Sequence, residues 1–238
     1  MIPAPASGEV KERDRFPYAT WGPWIAIGAT VAALIAGLVL SLPIFLLDGG
    51  ADTDDLSLFA TVAVQIFTAI GFVLIPFTLA ISYGGGGFRE AFHRLGFRSF
   101  DIAQSTMWVV LGILSYFAFS IVYAVIFGTP EQDDIAGDFG PIPVQILLIV
   151  IVAPFAEEIC FRGMLFGGFR RRLPLWAAAP AAAAVFGLLH YSTGWSTVVP
   201  LMFLGMVFAV VYEKTRSIWP AIGMHMFNNA LALIVLTA

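Results

Sequence analysis

Five ionisable side chains sit where a strongly apolar sequence has little use for charge. Glu157, Glu158 and Arg162 fall within one apolar stretch, and His190 and His225 within two others, the latter followed by Asn228 and Asn229. A charge at the centre of a bilayer costs about 2.5–3.5 kcal/mol on insertion scales, so such residues usually face a cavity and carry a task. In Glu157-Glu158-Ile-Cys-Phe-Arg162, the second glutamate and the arginine are i,i+4 neighbours that can neutralise each other on one helix face. Glu157 points about 100° away on the helical wheel. It has no local cation, so its partners must come from other helices. His225 and Asn229 share a face at i,i+4, as do Phe186 and His190, where the ring could wall a pocket. Pro154, three residues before Glu157, frees a backbone carbonyl and permits a bend.

A carboxylate beside an imidazole in a cavity that holds water can activate that water as a general base. A second histidine and an amide one turn apart supply two donors for a developing oxyanion. Together they make peptide hydrolysis the chemistry to expect. The same atoms admit a metal reading, with Glu157, His190 and His225 as three ligands and water as the fourth. The pattern fixes no cofactor; a divalent metal such as zinc is the one it could hold. No H-E-x-x-H helix is present, and the ligands would come from three separate helices. Serine or cysteine catalysis is disfavoured, because Cys160 lies on a different face from Glu158 and no serine lies within the cluster. A different class of function uses the same residues as an ion or proton relay in a coupled transporter. A third is a non-catalytic membrane partner, such as an immunity or scaffold protein.

The elements that must position these groups are membrane helices. Of 238 residues, 59% are apolar and 12% charged, about half the charged share of a soluble domain. The mean hydropathy is +0.89. Such a composition excludes disordered regulators, nucleic-acid binders and secreted disulfide scaffolds. Apolar stretches run over roughly 24–47, 58–83, 102–127, 143–169, 175–191, 196–212 and 218–237. Most reach the ~20 residues needed to cross a ~30 Å core, and the fifth and sixth are marginal at ~17. Lipid excludes open sheet, and no barrel-like alternation is present. The expected fold is an all-α, polytopic transmembrane bundle of about seven spans.

Loop charge sets its orientation. Lys11, Arg13 and Arg15 precede the first span, and Arg89, Arg94 and Arg98 follow the second; Arg170, Arg171 and Arg172 follow the fourth, and Lys214 and Arg216 the sixth. The connections 48–57, 128–142 and 192–195 contain no Lys or Arg. The positive-inside rule therefore places the N-terminus in the cytoplasm and the C-terminus outside. Tyr18, Trp21, Trp24, Trp108, Trp176, Trp195 and Trp219 lie near span ends, as an interfacial belt would. Residues 1–20 read as a polar, solvated tail, 21–140 as three membrane helices, and 141–238 as the bundle that carries the chemistry. Gly84–Gly87 reads as a flexible connector.

Three motifs occur in order, each on its own apolar helix: E-E-x-x-x-R (Glu157, Glu158, Arg162), F-x-x-x-H (Phe186, His190) and H-x-x-x-N (His225, Asn229). In order and spacing they resemble those of the CPBP family, also called Abi, which comprises CAAX-processing endoproteases and bacteriocin-processing or bacteriocin-immunity proteins. The resemblance covers about the last hundred residues. It implies an intramembrane endopeptidase, often called a metalloprotease, acting on a membrane-associated or C-terminal peptide, with the lipid bilayer as its setting and no nucleic-acid partner. Carried over residue by residue, it makes Glu157 the water-activating base paired with His190. His225 and Asn229 would hold the oxyanion, and Glu158, Arg162 and Phe186 would support them. A multi-pass protein of a bacterial or archaeal plasma membrane is implied.

Overall fold

A computed structural model describes residues 16–48, 56–130, 137–191 and 194–237. Lys11, Arg13, Arg15 and the loop acids Asp52, Asp54, Asp55, Glu131, Asp133 and Asp134 lie outside the described residues. The described residues form helices and no strand, the principal ones being α1 (Pro23–Leu47), α2 (Leu58–Gly84), α3 (Gly87–Arg94), α4 (Ile102–Phe127), α5 (Ile142–Arg170), α6 (Leu175–Leu189), α7 (Val198–Thr215) and α8 (Trp219–Thr237). Among the described residues six helices are long and apolar enough to cross a membrane, the fifth of them being α7 with its lead-in turn, Trp195–Thr215. The protein is an all-α, multi-pass membrane protein. Two lengths differ from the sequence reading. The sixth stretch is a full 21-residue span, whereas α6 has 15 residues. At 1.5 Å per residue α6 covers about 22 Å, short of the hydrocarbon core, so its end and His190 stop inside the depth of the bundle.

Helix α5 is the hub, with α1, α2, α6, α7 and α8 packed against it. Every residue from Ile159 to Phe169 is buried. By contrast, α4 buries only Ser105 and Gly112, so it is apolar all round because its outer faces meet lipid. The hairpin of α1 and α2 closes on small residues. A Cβ at Gly71 would lie 2.5 Å from the Ala33 carbonyl oxygen, an approach only glycine permits. Ser57 caps α2 and donates its backbone N–H to Asp48 at 2.7 Å, tying the ends of the hairpin together. The Ser57 hydroxyl, which also donates to Asp48, and this backbone bond hold the Asp48 carboxyl below its ordinary range.

The segment read as a tail is in part a packed strap. Tyr18, Ala19 and Trp21 are buried, and the Trp21 indole donates to the Met164 carbonyl at 2.9 Å rather than sitting in an interfacial belt. Basic residues from three connections gather around it. Arg94 donates to Tyr18 O and Arg171 to Ala19 O, Arg98 lies 3.8 Å over the Tyr18 ring, and Arg216 lies 4.3 Å over Phe16. The Gly84–Gly87 connector leads into the short helix α3, absent from the sequence reading. Its Phe88 and Phe92 pack against Phe77, while Glu90 and Arg94 pair at 2.9 Å.

Candidate active site

Helix α5 is not a uniform α-helix. Its turns widen to i→i+5 hydrogen bonding over Ile146–Val152 and again over Ile159–Phe166, with an α segment, Ala153–Glu158, between them. Such wide turns are rare and recur at functional sites. The two glutamates close the central segment, so each wide stretch abuts the site.

Glu158 and Arg162 form a sealed pair. Glu158 is fully buried and Arg162 is 2% exposed, with Nη1 2.8 Å from Glu158 Oε1. Arg162 Nη2 donates to the Gly205 carbonyl at 3.3 Å. The guanidinium lies 4.4 Å from the Phe186 ring centre and 4.8 Å from that of Phe208. A Cβ at Gly205 would come within 2.9 Å of Phe186, so glycine lets α7 approach closely enough for its carbonyl to reach the arginine. Desolvating two charges is costly, and the bonds from Arg162 to Gly205 and from His225 to Glu158 offset part of that cost.

His225 links the two carboxylates. Its Nδ1 is 2.8 Å from Glu158 Oε1 and its Nε2 3.7 Å from Glu157 Oε2. Because a carboxylate paired to arginine accepts, Nδ1 carries the proton and Nε2 is turned toward Glu157. The imidazole stacks on Phe208 at 4.7 Å and meets Phe186 at 5.9 Å. The Glu157 side chain is 17% exposed, against 0% for Glu158. One carboxylate is locked into the scaffold; the other opens outward.

His190 follows the last turn of α6. Its Nδ1 donates to the Phe186 carbonyl at 2.7 Å, which orients the ring. Phe186 thus touches Arg162, His190 and His225 at once, and is itself buried. The Asn229 amide donates to the Ile149 carbonyl at 3.0 Å and accepts from Asn228 at 3.4 Å. Three predicted groups, Arg162, His190 and His225, therefore meet around Phe186, and His225 joins both glutamates to them. The imidazole beside Glu157 is that of His225, where the resemblance implied His190. Phe208 and Gly205 went unread in the sequence: one phenylalanine among 22 and one glycine in an apolar helix carry no local signal.

The donors do not make a metal site. Among the described residues no three His, Cys, Asp or Glu side chains converge to hold an ion. Glu158 Oε1 already faces both Arg162 and His225, and a cation there would meet the guanidinium. Glu158 Oε2 is buried without a hydrogen-bond partner among the described residues, one donor atom where an ion needs several. Cys160 is fully buried and so is withheld from nucleophilic work. Beside the site, a wholly apolar cavity of about 360 Å³ lies between α2 and α5. Ala69, Val73, Val152, Phe155 and Ala156 line it, the last adjoining Glu157.

Residues 139–231 match the family described as type II CAAX prenyl endopeptidase Rce1-like. The chain is 26% identical over 143 residues to "Putative membrane peptidase YdiL" of Bacillus subtilis, covering 57% of this chain and 58% of that protein. It is 25% identical over 142 residues to "Membrane-embedded CAAX protease MroQ" of Staphylococcus aureus, covering 53% and 56%. The matches thus span a little over half the length of these curated relatives. No solved structure matches the chain. The matched segment holds all three motifs and every side chain of the site just described, so the likeness to membrane CAAX peptidases rests on the site itself.

Proposed function

We propose that this protein is an intramembrane endopeptidase that hydrolyses a peptide bond in a membrane-associated or C-terminal peptide. The observation that carries the reading is the asymmetry of the two carboxylates. Glu158 is spent on Arg162 and His225, while Glu157 faces a partly open site with an imidazole at 3.7 Å. Glu157 takes a proton from water, and the resulting hydroxide attacks the peptide carbonyl. His225, anchored at Nδ1 by Glu158, donates to the oxyanion from Nε2 when that nitrogen is protonated. Glu157 then returns the proton to the departing amine. His190 is oriented by the Phe186 carbonyl at 2.7 Å and packs on the Phe186 ring. The name of the matched family and those of the two relatives support a membrane peptidase, and the adjoining apolar cavity suits an apolar part of the substrate.

The test is Glu157→Gln in proteoliposomes supplied with membrane-anchored peptides. The amide keeps size and hydrogen bonding but cannot take the proton, so turnover should fall about 10²–10⁴-fold. Expression and melting should stay near wild type. Retention of more than about a tenth of turnover, well short of that loss, would remove Glu157 as the base.

A further inference from the structure

We infer that Asn229 supplies, from a neighbouring helix, the hydrogen-bond donor that Pro154 lacks, and that it thereby fixes the helix register presenting Glu157 and Glu158. The Ile149 carbonyl has two possible donors within its own helix. In an α register the donor is the Ala153 N–H, but this group is bonded to the Leu148 carbonyl, five residues back. In the wide register the donor is residue 154, a proline with no N–H. Both routes are closed, and the Asn229 Nδ2 stands at 3.0 Å from the orphaned oxygen. Asn228 donates to Asn229 Oδ1 at 3.4 Å, which turns the amide nitrogen toward Ile149. A carbonyl left unpaired away from water is costly, so the side chain stabilises the change from wide to α turns at this point.

The consequence reaches the site within one turn. Glu157 lies three residues beyond Pro154, and His225 lies one turn before Asn229 on the same face of α8. One bond therefore sets the depth of α5 against α8, and with it the approach of His225 to both carboxylates. Asn229 is in this account a positioning residue, and the oxyanion falls to His225. The inference rests on the proposed peptidase reading only for its activity readout.

A double-mutant cycle tests it. Asn229→Ala should lower kcat roughly 10²-fold, the scale of a 1 Å misplacement, with KM little changed. Pro154→Ala restores an N–H able to reach Ile149 O. In that background Asn229→Ala should cost far less in kcat, and its fall in detergent Tm should shrink in parallel. Multiplicative kcat losses, with the Asn229→Ala defect undiminished in the Pro154→Ala background, would overturn the inference and return Asn229 to the oxyanion. If no variant, wild type included, cleaves any peptide, the peptidase reading fails and the Tm cycle alone decides. Coupling between the two sites in Tm then supports the inference, and additive Tm shifts overturn it.

Discussion

Arg162→Met isolates the energetics of the sealed pair. The substitution keeps a long side chain between Phe186 and Phe208 but removes the charge 2.8 Å from a fully buried glutamate. Removing one partner of a buried pair costs about 3–5 kcal/mol, because the other charge is left uncompensated. His225, still 2.8 Å from the same oxygen, keeps the cost from exceeding that range. At about 2–4 °C per kcal/mol for a chain of this size, the melting temperature should fall by about 6–20 °C. The assay is thermal unfolding of the purified protein in a mild detergent, followed by tryptophan fluorescence and checked for monodispersity. Glu158→Gln with Arg162→Met removes both charges and should melt well above Arg162→Met alone, since a pair deleted together leaves no stranded ion. A single-mutant shift below about 2 °C, under one kcal/mol on that scale, would refute the reasoning. So would a double mutant no more stable than Arg162→Met.

Reporter fusions test the orientation: a C-terminal fusion and one at Gly128 should read as external, and one at Gly86 as cytoplasmic. A cytoplasmic C-terminus would show that α6, at 15 residues, does not reverse the chain. Chelator treatment of active proteoliposomes should leave turnover unchanged, because among the described residues no three His, Cys, Asp or Glu side chains converge on one point; stoichiometric zinc whose removal and return track activity would reverse that expectation. Gly71→Ala should destabilise by about 1–3 kcal/mol through overpacking, since its Cβ would stand 2.5 Å from the Ala33 carbonyl; an unchanged melting curve would mean that α1 and α2 separate at no cost.

Composition and hydropathy alone specified the class of fold, and residue chemistry singled out the candidates for its site. Hydropathy and loop charge are summed over many residues, so the helical membrane bundle was legible without any tertiary contact. Glu157, Glu158, Arg162, His190 and His225 stood out because each is expensive in an apolar helix, and the Glu158–Arg162 pair followed from spacing within a single turn. What lay beyond one helix was not legible. That His225 meets both carboxylates, that Phe186 and Phe208 clamp Arg162, and that Gly205 admits its carbonyl all depend on how α5, α6, α7 and α8 pack. Apolar side chains carry no pairing code in lipid, where packing and scattered polar contacts decide which helices touch. The strap at Phe16–Trp21 and the short helix α3 were missed for a related reason: both are fixed by contacts with distant residues rather than by their own periodicity. The register of α5 shows the division most directly. Proline at position 154 announced a carbonyl without a donor, but only the placement of α8 decided that Asn229 would supply one.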